Sequence, residues 1–343
     1  MKQSFSESTV WKTKLPGVEH ALLPSSIPRP NPLVVGSRLF VSLFSPGGVC
    51  ALERDTGTLI WHRPLLGLGS DSVFYAAGRL FARTAHTLYA LAPKDGSDLW
   101  TFCPYGTEHE WIYSHPAIEG NRLFIGDRRG VLHCLNVESG ETRWKVQTNR
   151  QGANVNSTPL LDDGLAVVGT NARTVVAFEM ETGRRAWKRS IDGPAVFGLL
   201  RHKELVVVVT DSIYLLSPST GAVQQHIKSQ NWSIAYVEVV GENLWALVSA
   251  PPYTGQQSLV VWDASGEVIK TVTQKASCPA LRYIPANRLA YLSHLNGLTL
   301  LDKNARAVAD LRLSTEGIGV VDVRANTIYA ATGRGYVYAL RHP

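Results

Sequence analysis

The stretch GNRLFIGDRRGVLHCLNVESGETRW, residues 120–144, contains three short alternating apolar segments separated by glycine-containing polar turns. Successive side chains of a β-strand point to opposite faces, so each segment is typical of a half-buried strand and each turn of a hairpin. Together with the preceding SHPAIEG (114–120), the stretch predicts four consecutive antiparallel strands. It lacks the 3.6-residue apolar period of an amphipathic helix.

The second half of this unit recurs along the whole chain. Each copy has an apolar strand, an acidic or small polar turn with glycine, and then a fourth strand. Clear copies end in tryptophan and are CALERDTGTLIW (50–61), YALAPKDGSDLW (89–100), HCLNVESGETRW (133–144) and VAFEMETGRRAW (176–187). Weaker copies are YLLSPSTGAVQQ (214–225), VVWDASGEVIK (260–270) and TLLDKNARAVA (299–309). Four strands every roughly 42 residues predict the blades of an all-β propeller.

The two ends of the sequence supply one further blade. Residues 317–342 contain three strands, and STVWKTKL (8–15) is a single strand with the tryptophan that the fourth position requires. Joining them closes the ring and removes an exposed sheet edge. We therefore predict one eight-bladed β-propeller domain over residues 1–343, with seven blades as the alternative if one weak copy is misread.

The repeat resembles that of the pyrroloquinoline-quinone-like β-propeller family, which residues 120–144 and GRGYVYALR (333–341) follow closely. The resemblance implies that the tryptophan of each fourth strand docks between blades, with its N–H on a neighbouring carbonyl. These structural docking residues are Trp11, Trp61, Trp100, Trp144 and Trp187. In the weaker copies Gln225, Lys270 and Val308 replace tryptophan, and we expect those interfaces to be looser or packed differently.

The resemblance also bears on cofactors. The family's enzymes hold the quinone and a calcium ion with a vicinal cysteine pair plus Glu, Asn and Asp ligands, but the four cysteines here are far apart. The sequence therefore predicts no cofactor and no metal. The chain also resembles the propeller scaffold of the outer-membrane β-barrel assembly machinery. It shows no lipobox cysteine near its start, because its first cysteine is Cys50.

The composition and charge of the chain limit the class of protein and the kinds of partner that can be expected. The chain is 45% hydrophobic and 18% charged, which excludes a disordered chain or a coiled coil. Its net charge of +6 is spread over scattered residues, so no nucleic-acid partner is predicted. The sequence has no apolar run of membrane-spanning length, and MKQSFSESTVWKTK (1–14) is unlike a signal peptide. We expect a cytoplasmic, monomeric propeller without membrane insertion.

Function is expected in the loops that share the face where fourth strands end. Three loops are most irregular: 103–116, 146–159 and 228–236. Loops 16–32, with His20, and 249–258, with Tyr253, are secondary. The candidate ligand or partner residues are Glu108, His109, Glu110, Trp111, Tyr113, His115, Arg150, Asn154, Asn156, Asn231, Trp232 and Tyr236.

These residues leave alternatives open. Glu108, His109, Glu110 and His115 form a solvated polar loop, an acid–base group or a metal cluster, although their spacing follows no known metal pattern. Trp111 and Trp232 either cover the inner core or line a binding surface. No GxSxG, P-loop or GxGxxG motif is present. We therefore predict a non-catalytic binding or scaffolding propeller for a protein, peptide or small-molecule ligand. The alternative is an enzyme, acting on a small molecule or peptide, with its active site in the axial mouth.

Overall fold

The computed structural model describes residues 9–16, 32–43, 48–65, 73–106, 111–112, 114–149, 153–193, 195–228, 233–249, 257–273, 280–294, 297–312, 318–319, 321–332 and 335–342. Over these ranges the secondary structure consists of 32 β-strands. No helix within them has the length and apolar character needed to cross a membrane.

The strands form eight antiparallel four-stranded sheets, each a blade. Blade 1 contains β2 (Pro32–Val35), β3 (Arg38–Leu43), β4 (Gly48–Glu53) and β5 (Leu59–Arg63). Blade 2 contains β6 (Val73–Ala76), β7 (Arg79–Arg83), β8 (Leu88–Leu91) and β9 (Asp98–Phe102). Blade 3 contains β10 (Ala117–Glu119), β11 (Arg122–Gly126), β12 (Val131–Asn136) and β13 (Thr142–Gln147). Blade 4 contains β14 (Leu160–Asp162), β15 (Leu165–Gly169), β16 (Thr174–Glu179) and β17 (Arg185–Ser190).

The second half of the ring repeats this order. Blade 5 contains β18 (Gly198–His202), β19 (Leu205–Val209), β20 (Ile213–Leu216) and β21 (Val223–Ile227). Blade 6 contains β22 (Ser233–Val240), β23 (Asn243–Ser249), β24 (Gln257–Trp262) and β25 (Val268–Thr273). Blade 7 contains β26 (Ala280–Ile284), β27 (Leu289–His294), β28 (Gly297–Leu301) and β29 (Ala307–Arg312). Blade 8 contains β30 (Asp322–Arg324), β31 (Thr327–Ala331), β32 (Tyr336–Arg341) and the N-terminal β1 (Thr9–Lys14).

The prediction of an eight-bladed propeller is confirmed. The ring closes as expected, because β1 pairs with β32 from Thr9 opposite Leu340 to Lys14 opposite Tyr336. First strands of adjacent blades contact one another around the axis, and fourth strands lie at the outer rim. The core lies between blades: in one cluster Phe124 and Leu132 of blade 3 pack against Ala166 and Val168 of blade 4.

The turns between third and fourth strands come in two lengths. In blades 1–5 the first residue's N–H bonds the carbonyl five residues on, as from Asn136 to Glu141 at 2.8 Å. The glycine before that acceptor has a positive φ, +75° at Gly140, which glycine adopts without steric cost. We call these the long turns, at 53–58, 92–97, 136–141, 179–184 and 217–222. In the short turns of blades 6 and 7, at 263–267 and 302–306, the same bond spans one residue fewer.

All five predicted tryptophans dock on the long turn of the next blade. Each indole Nε1 donates to the carbonyl of the turn's second residue. The pairs are Trp11–Arg54 (3.0 Å), Trp61–Pro93 (3.1 Å), Trp100–Val137 (3.0 Å), Trp144–Met180 (3.1 Å) and Trp187–Pro218 (2.7 Å). A Cβ added to the turn glycine would lie 2.4–2.8 Å from the ring, so the glycine allows the indole to lie flat against the turn.

The weak interfaces are packed differently, as predicted. Gln225 donates to the Ser265 carbonyl of the first short turn, and Lys270 Nζ donates to Asn304 and Ala305 of the second at 2.6 and 2.8 Å. The prediction of Val308 at the last docking position is wrong. Ala309 pairs with Leu300 as Trp144 pairs with Cys134, while Val308 is 48% exposed. Because β32 and β1 come from opposite ends of the sequence, the described residues of blade 8 include no turn between third and fourth strands for Ala309 to dock on.

Two carboxylates bridge adjacent first strands near the axis. Glu238 of blade 6 accepts the Tyr283 N–H of blade 7 at 3.1 Å, and Asp322 of blade 8 accepts the Val34 N–H of blade 1 at 2.8 Å. First strands are sheet edges, so some of their N–H groups lack a partner within the blade. The two carboxylates satisfy such groups. Burial raises the pKa of Glu238, while the Tyr283 N–H and Arg282 oppose that shift.

Candidate functional site

The loops from each fourth strand to the next first strand share one face with the loops between second and third strands, as the antiparallel strand order requires. We call this the loop-rich face. Several predicted site residues lie outside the described residues. They are His20, Glu108, His109, Glu110, Tyr113, Arg150, Asn231, Trp232 and Tyr253. Trp111, His115, Asn154, Asn156 and Tyr236 are described.

Trp111 and His115 flank the entry to blade 3. The Trp111 ring is half-buried edge-on against His86 of blade 2, with ring centroids 5.8 Å apart, and its carbonyl accepts the Arg128 N–H at 2.9 Å. His115 follows Ser114, whose hydroxyl accepts the Gly126 N–H at 2.6 Å. Trp111 therefore joins the loop-rich surfaces of two blades.

Asn154 and Asn156 lie together at the inner end of blade 4. The Asn154 carbonyl accepts the Asn171 N–H, and the Asn156 N–H donates to Gly169, both at 3.1 Å. The Val196 side chain packs against Gly169, so closely that a Cβ added at Gly169 would lie 2.2 Å from it. The Val196 N–H donates to the Thr170 carbonyl. The amide oxygen of Asn156 is buried and has no hydrogen-bond donor among the described residues.

The next residue of this surface is Phe197, which the sequence reasoning missed. Its N–H donates to Val209 at 2.9 Å, and the residue is 57% exposed, the largest exposed fraction among the large hydrophobic residues that the structure describes. Phe197 directly precedes β18, a strand that the sequence analysis did not locate. We call Asn154, Asn156, Asn171 and Phe197 the blade 4 mouth.

Tyr236 does not belong to the loop-rich surface. The prediction placed it at the end of a loop, but it lies within β22 and packs against the core around Trp245 and Leu247. With eight residues, β22 extends further than expected and includes a register shift between Ile234 and Tyr236. Burial raises the Tyr236 pKa to about 12, with Glu238 contributing in the same direction.

A second site lies toward the outer rim, between blades 2 and 3. Buried Asp127 accepts hydrogen bonds from Tyr105 Oη at 2.7 Å, from His133 Nε2 at 2.8 Å and from the Val131 N–H at 2.9 Å. Burial acts to raise the Asp127 pKa, but the bonds from His133, Val131 and Tyr105 hold it below its ordinary value. The carboxylate is therefore ionised at neutral pH, and His133 donates to it.

Above this network, the Arg129 guanidinium lies over the Tyr105 ring, 4.1 Å from its centroid. Tyr105 and Arg129 line a groove of about 340 Å³ together with Val131, Lys145, Val146 and Gln147. We call this the rim groove. Sequence reasoning included Tyr105 in a candidate loop without selecting it. His133 lies in β12, and neither it nor its partner Asp127 was among the candidate residues selected from the sequence.

The described residues do not fit a quinone and calcium site of the family's enzymes. Cys50 and Cys134 lie buried in blades 1 and 3, and Cys103 follows blade 2, so these three thiols form no vicinal pair. Among the residues that the structure describes, no three His, Cys, Asp or Glu side chains come together as metal ligands.

Comparison with known proteins extends the sequence resemblance. A family profile described as outer membrane protein assembly factor BamB matches residues 4–103 and 84–342, which together cover nearly the whole chain. The chain belongs to this family. Members of the BamB family from Yersinia pestis and Escherichia coli are 26% and 29% identical to it over 184 and 147 residues. These matches cover 49% and 42% of this chain and 46% and 35% of the relatives, so it spans less than half the length of either.

The chain is also similar to proteins outside the BamB family. A Streptomyces coelicolor serine/threonine-protein kinase, AfsK, is 31% identical over 130 residues, which is 37% of this chain and 15% of the kinase. The computationally designed protein Ika8 superposes with a TM-score of 0.78 at 12% identity, covering 97% of this chain and 99% of the other. A Pseudomonas putida quinohemoprotein alcohol dehydrogenase gives 0.72 at 12% identity, covering 100% of this chain and 78% of the enzyme. At these identities the structural likeness shows the fold alone.

Proposed function

We propose that this chain is a non-catalytic propeller that binds a protein partner through its loop-rich face, with Phe197 at the centre of the contact. The exposure of Phe197 carries the proposal. Burying a phenylalanine side chain gains about 1.5–3 kcal/mol, which this residue forgoes in the isolated chain. Aromatic residues that become desolvated on binding are typical hot spots of protein interfaces.

The surroundings of Phe197 support the same function. Val196, the residue before Phe197, donates to the carbonyl of Thr170, and Asn171 follows Thr170 and bonds Asn154. The backbone thus connects Phe197 to polar residues of the kind that form the rim of an interface. Membership of the BamB family adds support, because its relatives are named as assembly factors and thus act with other proteins. The monomeric state and cytoplasmic location predicted from sequence remain predictions, tested by native mass spectrometry and cell fractionation.

Site-specific photocrosslinking tests the proposal. A photoreactive amino acid would replace Phe197 or Asn171 on the loop-rich face, and Asp95 or Glu138 in turns on the opposite face. We expect both loop-rich positions to crosslink the same protein in cells and the opposite positions to crosslink none. Crosslinking from the opposite face alone, or equally from both, would contradict the assignment of this face.

A matched pair of substitutions tests the role of Phe197. Phe197→Asp places a charge where the ring would be buried, so we expect at least a tenfold loss of the crosslink formed from Asn171. Val223→Asp is the control, because Val223 is 44% exposed on the outer strand of the neighbouring blade 5. Equal loss in both variants, or none in Phe197→Asp, would show that Phe197 is not the centre of the contact.

A further inference from the structure

Blade 3 departs from the repeat at one buried position. Where second strands lead into third strands, blades 2, 4, 5 and 8 carry the buried residues Thr84, Thr170, Thr210 and Thr332, and blade 3 carries Asp127. The equivalence follows from the backbone: Asp127 bonds Val131 as Thr332 bonds Tyr336. A buried carboxylate is strongly unfavourable unless its oxygens are hydrogen-bonded, so Asp127 needs partners that the threonines of the other blades do not require.

Those partners also depart from the repeat. By strand register, His133 takes the position occupied by Tyr89, Tyr214 and Tyr338 in blades 2, 5 and 8. Tyr105 comes from the loop leaving blade 2, and its hydroxyl bonds the Asp127 oxygen that His133 also bonds. Asp127 and His133 thus hold Tyr105 at the edge of the rim groove, with the Arg129 guanidinium over its ring.

We propose that the rim groove binds an acidic, extended peptide segment, with Arg129 and Lys145 pairing with its carboxylates. Lys145 forms no ion pair among the described residues, and it lines the same groove as Arg129. A guanidinium held over an aromatic ring keeps its N–H edges in a fixed plane, which suits two-point pairing with a carboxylate. Gln147 reaches the turn at Arg129 and Gly130 by donating to their carbonyls, at 2.8 and 3.3 Å.

The groove favours a peptide over a small inorganic anion. Its volume of about 340 Å³ exceeds what phosphate fills, and Val131, Val146 and the Tyr105 ring give apolar contact beside the two cations. The groove and the blade 4 mouth are lined by different residues, although the Val155 N–H, between Asn154 and Asn156, donates to the Asp127 carbonyl at 3.1 Å. The inference rests on the proposed function only in that the source of the segment is a protein.

Fluorescence anisotropy tests the inference with the whole chain and a labelled decapeptide of alternating glutamate and glycine. We expect Arg129→Ala and Lys145→Ala each to weaken binding about five- to tenfold, because each removes one charge-assisted contact. Lys188→Ala is the matched control, because Lys188 follows Trp187 in blade 4 as Lys145 follows Trp144 in blade 3. It should change affinity less than twofold.

The positioning role of Asp127 and His133 needs a variant that retains both cations. The double variant Asp127→Thr and His133→Tyr installs the residues that blades 2, 5 and 8 carry, so we expect it to fold with a thermal midpoint near that of the parent. Peptide affinity should nevertheless fall about fivefold, since Tyr105 loses its acceptor. Unchanged affinity in the folded double variant would overturn the positioning role.

Several outcomes would overturn the groove assignment. The first is that the parent chain does not bind the peptide, and the second is that Lys145→Ala and Lys188→Ala lose the same affinity. The third is that a glutamine–glycine peptide binds equally well. The fourth is that inorganic phosphate displaces the peptide at the peptide's own concentration. Phe197→Asp should leave this affinity unchanged. If the otherwise unaltered chain forms no crosslink from Phe197 or Asn171 but still binds the peptide, the proposed function alone is refuted. If it crosslinks from these positions but does not bind the peptide, the groove assignment alone is refuted.

Discussion

The long turns of blades 1–5 and the short turns of blades 6 and 7 receive different docking residues. Every long turn receives tryptophan from the preceding blade, whereas the short turns receive Gln225 and Lys270. In the long turns, which have one more residue, the carbonyl of the second residue accepts the indole N–H, and the turn glycine lies against the face of the ring. In the short turns the acceptors are the third residue, or the third and fourth. The docking residue therefore follows the length of the turn that receives it, and we predict that turn length selects it.

The largest effect is expected from removing one docked indole. Trp144→Ala leaves a cavity against Met180 and Gly183 and deletes the Nε1 bond, so we expect a loss of about 3–5 kcal/mol in the free energy of unfolding. Urea denaturation measures it. Lys270→Ala, at the equivalent position over a short turn, should cost only about 1 kcal/mol, and equal losses would refute the distinction between the two interfaces.

Whether a docked indole requires glycine beneath it can be tested by comparing two glycines that have the same φ. Gly140 and Gly164 both have φ of +75°, but an added Cβ lies 2.6 Å from the Trp100 ring at Gly140 and meets nothing within 4 Å at Gly164. Gly164→Ala should cost about 1 kcal/mol from strain alone. Gly140→Ala should cost about 2 kcal/mol more, because the ring must move. Thermal unfolding compares them, and similar midpoints would show that the indole does not need the glycine.

Placing a tryptophan over a short turn tests whether turn length determines which residue docks there. Gln225→Trp brings an indole to Gly266, in a turn where the third residue's carbonyl, that of Ser265, is the acceptor. We therefore expect destabilisation by about 1–3 kcal/mol from overpacking. Chemical denaturation gives the value. A gain in stability would mean that the fourth strand, and not the turn, sets the identity of the docking residue.

The smallest effect concerns Glu238 between blades 6 and 7, an interface where Lys270 takes the place of a docked tryptophan. Its folded pKa is raised, so its stabilising contribution is complete below the ordinary glutamate pKa of about 4.3 and is lost as pH rises through the folded value. The free energy of unfolding of the parent should therefore fall from pH 4 to 8 relative to Glu238→Gln. Glu267→Gln, an exposed change in the same blade, is the control. If the unfolding free energy of the parent instead rises with pH relative to that of Glu238→Gln, the pKa of Glu238 is not raised by folding.

Much of the architecture could be predicted from the sequence because it repeats. Alternation and turn glycines located all four strands of blade 3, and the copies gave the blade number and the closure by Trp11. Val308 was misplaced because no glycine marks the turn of blade 7. Ala305, with a φ of +54°, takes the place of the turn glycine, and the docking position four residues further on is Ala309. Tyr236 was misplaced because a strand longer than the repeat's average extends into the expected loop.

The candidate site could be predicted only as a face. Asn154 and Asn156 were selected as loop residues, but Phe197 became notable only once its exposure was known. His133 and Asp127 are six residues apart in sequence, and Tyr105 lies in the preceding blade's loop, so only the contact between blades brings them together.

The sequence by itself determined what is periodic and local: strands, turns, blade number and docking tryptophans, since alternation, glycine conformation and repeat spacing act over a few residues. The tertiary structure decided what depends on neighbouring blades: which carboxylates are buried, which carbonyl receives each indole and which aromatic ring stays exposed. Burial and hydrogen bonding across an interface depend on residues about forty positions apart, and a single repeat contains no record of them.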